Sequence, residues 1–374
     1  MASFAKFTLL PTLLATLAEQ EFKTPTEIQA RAIPELLGGQ SVVGVAETGS
    51  GKTLSYALPM LNLAKSLEDE GSPVSVDSQP RGLVIVPSRE LGEQVAKVFK
   101  TFTHGTRVRV RSVLGGTTME IARRNLKGPL EILIATPGRL LQLLEQKAVS
   151  LKDVRFLVFD EADQLLDMGF VNDAVQIASA CPAGRQLALF SATVPQPVEA
   201  LIARLFKNPV VIKSKGSHRV VSTLTTVNKI IVNGKRWELL LQVLSENTEG
   251  GTLIFTNTRE QCDKVARELV AAGHDCVIYR GEMEKVERRA NLQQFRDGIV
   301  NVLVATDLGS RGLDVENVGR VINYHLPTQM ENYLHRVGRT ARAGRKGVVV
   351  NFVTERDKKL VDQFDSIKAV RPAR

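Results

Sequence analysis

Short apolar runs recur along the chain at Ser41–Val45, Leu83–Val86, Glu131–Ala135, Phe156–Phe159, Leu187–Phe190, Thr252–Phe255, Asn301–Ala305 and Arg320–Asn323. Each is too short for a buried helix and too evenly apolar for a strand with one wet face, so each predicts a strand covered on both sides. Between them, Leu54–Leu67, Leu91–Phe102, Gly138–Gln146 and Arg259–Ala272 carry apolar residues at helical spacing. Strands alternating with helices predict parallel βαβ units and an α/β fold. The acidic, Ser/Pro/Gly-rich stretch Glu68–Pro80 reads as an exposed loop, and Lys213–Ser222 as a linker.

The pattern occurs twice. Pro87-Ser88-Arg89-Glu90 before Val95-Ala96 is echoed by Asn257-Thr258-Arg259-Glu260 before Val265-Ala266, and Ala135-Thr136 by Ala305-Thr306, both at an offset of 170. Gly116 stands seven residues before Arg123-Arg124, as Gly281 does before Arg288-Arg289. Three echoes in one order, each at a strand or its exit, predict one α/β domain built twice. The expected division is a first domain over 1–212, a linker over 213–222, a second domain over 223–358 and a short basic tail over 359–374.

Composition agrees with this picture. The 374 residues are 43% apolar and 24% charged, enough for two cores, and no run of 18 apolar residues suggests a membrane span. The start, Met1–Leu10, lacks the basic and apolar segments of a secretory leader, and the three cysteines, Cys181, Cys262 and Cys276, have no metal spacing; both features lead to the expectation of a cytoplasmic protein. Residues 211–374 carry 27 Lys/Arg against 19 Asp/Glu, which is +8 of the total +9. That excess suits a polyanionic partner, and equally a solvated surface.

Chemistry enters after the run Ser41–Val45. Ala46-Glu47-Thr48-Gly49-Ser50-Gly51-Lys52-Thr53 then leads into a helical stretch, giving strand, glycine loop and helix. In this order the glycines let successive N–H groups face phosphates, Lys52 reaches the β- and γ-phosphates, and the Thr53 hydroxyl suits Mg²⁺. Ala46 departs from the first glycine of the usual P-loop pattern. The strand Phe156–Phe159 ends in Asp160-Glu161-Ala162-Asp163, carboxylates at the carboxyl end of a buried parallel strand, where ligands bind. Asp160 could hold Mg²⁺ through water, and Glu161 could orient and deprotonate the water attacking the γ-phosphate. The second half has neither a Gly-Lys-Thr loop nor an acidic quartet, so it must serve the first half's site. Its arginines Arg336, Arg339 and Arg342 are spaced by three near one helical face, as groups that could neutralise a transferring phosphoryl would be.

These motifs resemble the DEAD-box family of superfamily 2 RNA helicases, in a minimal, bacterial-type core. The likeness runs from about Phe4 to about Thr354 and, besides the segments above, includes Pro25-Thr26, Gly115-Gly116, Thr136-Pro137-Gly138-Arg139, Ser191-Ala192-Thr193, Asp307, Arg311-Gly312-Leu313-Asp314 and His335-Arg336-Val337-Gly338-Arg339-Thr340-Ala341-Arg342, all in family order. The resemblance implies two tandem RecA-like domains, each a parallel sheet flanked by helices, with ATP and Mg²⁺ as cofactors. It implies that Gln29 reads the adenine edge, that Phe22 stacks on the ring with Phe4 in support, and that Asp314 meets the ribose. Arg339 and Arg342 become the arginine fingers, with Asp163, Ser191, Thr193 and His335 coupling the ATP site to RNA. Arg89, Gly116, Thr136 and Arg139, with Gly281, Arg288 and Thr306, become backbone contacts to RNA that read no base identity.

The resemblance also implies local, non-processive unwinding by a monomer, with protein partners for targeting. An ATP-gated RNA clamp uses the same motifs, and a DNA-directed motor is a third, less favoured reading. Four departures stand out: Glu21 replaces the glycine usual before Phe22, Glu27 a common proline, Arg280 a frequent histidine and Lys285 the usual glutamine. The last two add charge and lead to an expectation of steeper salt dependence in RNA binding.

Overall fold

The computed structural model describes residues 3–47, 49–214, 224–281, 283–307, 315, 317–328, 330–340, 346–357 and 360–361, with only the backbone at 285, 330, 331, 334 and 335. The expected linker beyond Ser214 and the basic tail beyond Val361 lie outside these residues. The chain forms two compact units, Met1–Ser217 and His218–Arg374.

The first unit runs α1 (Pro11–Glu19), α2 (Glu27–Leu37), β1 (Val42–Val45), α3 (Lys52–Asp69), β2 (Gly82–Ile85), α4 (Arg89–Thr106), β3 (Val110–Val113) and α5 (Met119–Leu126). It continues with β4 (Ile132–Ala135), α6 (Pro137–Glu145), β5 (Phe156–Phe159), α7 (Ala162–Asp167), α8 (Val171–Ala180), β6 (Gln186–Ser191), α9 (Gln196–Leu205) and β7 (Val210–Lys213). The second unit runs β8 (Leu224–Ile230), α10 (Arg236–Ser245), β9 (Gly251–Thr256), α11 (Arg259–Ala271), β10 (Val277–Tyr279), α12 (Lys285–Arg296), β11 (Val302–Thr306), β12 (Val318–Asn323), α13 (Met330–Val337) and β13 (Gly347–Val353).

Each unit is a parallel sheet, ordered β3-β4-β2-β5-β6-β1-β7 in the first and β10-β11-β9-β12-β13-β8 in the second. Alternate strand residues face opposite ways, so each sheet supports two cores. In the first unit Val42, Val84, Ile134 and Val158 pack with α1–α4, while Val43, Leu83, Leu133 and Leu157 pack with α5–α9. In the second, Ile254, Val304 and Ile322 pack with α10 and α11, and Leu253, Leu303 and Val321 with α12 and α13. Burial on both faces is why these strands read as continuous apolar runs. Packing is close enough at Gly44 that a β-carbon would lie 2.5 Å from the Phe190 ring.

The internal echo is structural. Ile85 pairs with Ala135 and Phe255 with Ala305, two pairs in register related by the same 170 residues. Ser88 and Thr258 cap the helices that follow, accepting from the Leu91 and Gln261 N–H groups. Through β5 and β12 the echo sets Phe159 against Asn323, which pair with Ile85 and Phe255. Where the first unit continues Asp160-Glu161, the second therefore continues Tyr324-His325.

Two expectations shift. The sheet takes in the start of the linker: Lys213 ends β7, and the Ser214 N–H still donates to Val45 O at 2.9 Å. The loop expected over Glu68–Pro80 begins only after α3 ends at Asp69, and it buries Val74 and Pro80. An apolar side chain inside a polar segment pins that loop to the fold.

Candidate active site

The loop between β1 and α3 closes on itself, with the Ser50 N–H and hydroxyl donating to Glu47 O at 3.2 and 2.6 Å. Gly49 and Gly51 have φ of +84° and +91°, the left-handed region that favours glycine. At Gly51 a β-carbon would also come within 2.4 Å of Gln29 Nε2. Lys52 is buried and donates from Nζ to Ala46 O at 2.8 Å, and Thr53 follows it on α3. Gly49, Ser50, Gly51, Lys52 and Thr53 thus meet at a helix N-terminus beyond a parallel strand, an arrangement suited to phosphate. Thr48 lies outside the described residues. Burial pushes the Glu47 carboxyl up to about 7 against the pull of Lys52.

Gln29 is buried on α2 rather than exposed. Its Oε1 accepts the Thr26 N–H at 2.9 Å, closing a capping box, and its Nε2 donates to Gly51 O at 3.1 Å. The amide therefore ties α2 to the phosphate loop and keeps one N–H and one lone pair for a ligand. Phe22 is 43% exposed, unlike a core aromatic, and Phe4 is buried edge-on to Phe7. Glu21 has φ +58°, which explains why a glycine suits that position. Glu21→Gly is expected to raise stability by about 0.5–1 kcal/mol, read as a higher thermal midpoint. Glu27, in the first turn of α2, accepts from the Ser214 hydroxyl at 3.2 Å.

The acidic quartet leaves β5 through an unusual backbone, with Glu161 left-handed at φ +49° before α7. Asp160 Oδ1 accepts the Glu161 N–H at 2.9 Å, and Oδ2 accepts the Tyr56 hydroxyl at 2.6 Å. Burial pushes the Asp160 carboxyl up; Lys52 and the Tyr56 and Glu161 bonds pull it back. Asp163 Oδ2 accepts the Ala192 and Thr193 N–H groups at 3.2 and 2.9 Å and the Thr193 hydroxyl at 2.9 Å. The Asp163 N–H in turn donates to Ser191 Oγ at 3.1 Å. The quartet and the loop after β6 are therefore one bonded unit. Tyr56 carries no local sequence signal: it lies 104 residues from Asp160 in an apolar helix.

A second group gathers at the exits of β2, β3 and β4. Arg89 reaches Glu93 at 2.8 Å and Gly116 O at 3.4 Å, Thr136 Oγ1 accepts the Gly115 N–H at 2.8 Å, and Arg139 donates to Thr117 O at 2.6 Å. In the second unit Arg288 donates to Gly281 O at 3.3 Å and stacks over Tyr279, while Thr306 ends β11. Arg280 is paired with Asp263 at 2.9 Å.

Arg336 and Arg339 do not share a helical face. α13 ends at Val337, and the Arg339 N–H donates to Arg336 O in the turn beyond it. Arg336 points into the second unit's interior at 1% exposure, pairs with Asp307 through two nitrogens, and donates to Asn323 Oδ1, His325 O and Asn257 Oδ1 at 3.1, 2.6 and 2.9 Å. Its guanidinium also lies 5.0 Å from the centre of the Phe255 ring. That placement removes Arg336 from the group reaching for phosphate. Asp314, Arg342 and the His335 side chain lie outside the described residues.

Residues 26–201 match the DEAD/DEAH box helicase family model, and residues 235–344 the helicase conserved C-terminal domain. The chain is 35% identical over 353 residues to the DEAD-box ATP-dependent RNA helicase RhpA of Helicobacter pylori, covering 94% of this chain and 70% of that one. It is 35% identical over 372 residues to the ATP-dependent RNA helicase DeaD of Mycobacterium tuberculosis, covering 99% of this chain and 64% of that one. Among solved structures it is similar to Saccharomyces cerevisiae Dbp5 bound to RNA and ADP BeF3, at a TM-score of 0.86 and 27% identity, covering 100% of this chain and 95% of that one. With both of its halves matched in order and a relative aligned over most of its own length, the chain belongs to the DEAD-box family of ATP-dependent RNA helicases.

Proposed function

We propose that this chain hydrolyses ATP in response to RNA and uses the cycle to open short RNA duplexes or remodel protein–RNA complexes locally. What supports the reading most is the bonding of Asp163 to Ser191 and Thr193 beside Asp160 and Glu161. A change at the phosphates then has a direct route to a second loop at the same sheet edge.

In this reading Thr48, Gly49, Ser50, Gly51 and Lys52 hold the phosphates, Phe22 and Gln29 select adenine, and Asp314 meets the ribose. Among the described residues no cluster of three or more His, Cys, Asp or Glu could hold a metal by itself. The hard oxygen donors of Thr53 and Asp160 fit Mg²⁺, which is bound by few protein groups and completed by phosphates and water. When bound, that ion neutralises phosphate charge. Glu161 takes the proton of the attacking water, and Arg339 and Arg342 supply positive charge to the transferring phosphoryl group. Arg89, Gly116, Thr136, Arg139, Gly281, Arg288 and Thr306 follow the RNA backbone, and 2′-hydroxyl contacts favour RNA over DNA. His335 joins Asp163, Ser191 and Thr193 in coupling.

The chain acts as a monomer in the cytoplasm, with its RNA chosen by partner proteins. No helix among the described residues is long and apolar enough to cross a membrane. Phosphate release with and without single-stranded RNA, or DNA of the same sequence, tests the reading. RNA is expected to stimulate turnover and to tighten ATP binding by about tenfold, and ATP to tighten RNA binding by the same factor. Equal stimulation by DNA would defeat the RNA assignment.

A further inference from the structure

Tyr56 is fully buried on α3, with its ring 5.4 Å from that of Phe190 and 6.2 Å from that of Phe99. Phenylalanine would fill this aromatic cluster equally well. What tyrosine adds is a hydroxyl, which a buried site must satisfy. Here it donates to Asp160 Oδ2 at 2.6 Å. Thr53, one turn earlier on the same helix face, also interacts with that hydroxyl. The phenol thus stands between the two side chains read above as magnesium-binding.

An aspartate carboxylate turns easily about its terminal torsion. Asp160 is held at both oxygens, by the Glu161 N–H on Oδ1 and by Tyr56 on Oδ2, and each oxygen keeps a lone pair for a metal-bound water. The Tyr56 ring cannot drift either, since Phe190 is itself seated against Gly44, where a β-carbon would not fit. We propose that Tyr56 is a positioning residue for Mg²⁺–nucleotide: its hydroxyl fixes the Asp160 carboxylate in the orientation that receives the ion. The proposal rests on the assignment of Thr53 and Asp160 to Mg²⁺. Groups that orient a metal's ligands commonly change its affinity by 10–100-fold when removed.

The test is binding of a fluorescent ADP analogue to the full chain, in EDTA and across a Mg²⁺ titration, for wild type, Tyr56→Phe and Phe99→Leu. Tyr56→Phe is expected to leave affinity in EDTA unchanged and to raise the Mg²⁺ concentration for half-maximal tightening by about tenfold. Phe99→Leu loosens the same cluster without removing a hydroxyl, so it should lower the thermal midpoint and leave the Mg²⁺ curve in place. A Tyr56→Phe curve superimposed on wild type would overturn the proposal, as would a Phe99→Leu shift of equal size, which would make packing the cause. A wild-type protein whose nucleotide binding ignores Mg²⁺ would overturn the metal assignment itself, and this proposal with it.

Discussion

Glu161→Gln is expected to lower RNA-stimulated ATP turnover by about 10²–10⁴-fold, the usual contribution of a positioned general base. The amide matches the carboxylate in size and can still orient a water, but it cannot take its proton. Three features confine the damage to chemistry. Glu161 holds its left-handed backbone through the bond from its N–H to Asp160 Oδ1, which the substitution keeps. The side chain is buried beside Asp160 and Asp163, so losing one negative charge relieves repulsion. The phosphate loop donates through backbone N–H groups and Lys52, none of which changes. Nucleotide and RNA binding should therefore stay within a few-fold of wild type while phosphate release stops. Turnover within about threefold of wild type would remove Glu161 from the role of base.

What the sequence discloses about this site is what lies contiguous in it. The phosphate loop and the acidic quartet each compress their chemistry into eight residues or fewer, flanked by a strand and a helix, so pattern and structure coincide. Contacts made across the fold are invisible. Tyr56 reads as one more apolar residue of α3, and only the folded sheet brings Asp160 to it. Gln29 by itself reads as a surface amide because its side chain is polar, yet the capping box and its bond to the carbonyl of Gly51 hold it buried. Arg280 reads as a lone charge, and only the fold pairs it with Asp263, 17 residues earlier.

The strands follow the same logic. β1, β2, β4, β5 and β6 are covered on both faces and show themselves as apolar runs. β3 (Val-Arg-Ser-Val) and β8 (Leu-Thr-Thr-Val-Asn-Lys-Ile) lie at sheet edges with half-exposed residues, where polar side chains erase the apolar signature. β13 is central, and it carries an apolar signature broken only by Asn351. That asparagine is matched in register by Asn323 and Asn228, and the three amides bond in series at 2.8 Å across β12, β13 and β8.

The same ladder underlies the second large effect, at Arg336. This side chain closes the asparagine series by donating to Asn323 Oδ1, and it also serves Asn257 Oδ1, His325 O and both oxygens of Asp307. Removing a buried guanidinium while its acceptors remain costs about 3–5 kcal/mol, because those acceptors lose their donors without regaining water. Arg336→Ala is thus expected to destabilise the second unit by that amount, about 10 °C in its midpoint. Arg336→Lys should recover little, since an ammonium cannot span the fork that meets Asp307 and both asparagines together. The readout is selective because Trp237 on α10 is the chain's one tryptophan, so its emission follows unfolding of the second unit alone. A finger residue would behave in the opposite way: its loss would stop turnover and leave the Trp237 transition in place. If Arg336→Ala unfolds at the wild-type midpoint but fails to hydrolyse ATP, the buried network is not what holds this unit together and Arg336 returns to the phosphate-facing group. The adjoining Arg339 is buried as well, and its alanine variant is expected to lose turnover, the effect that Arg336→Ala is not expected to show apart from unfolding.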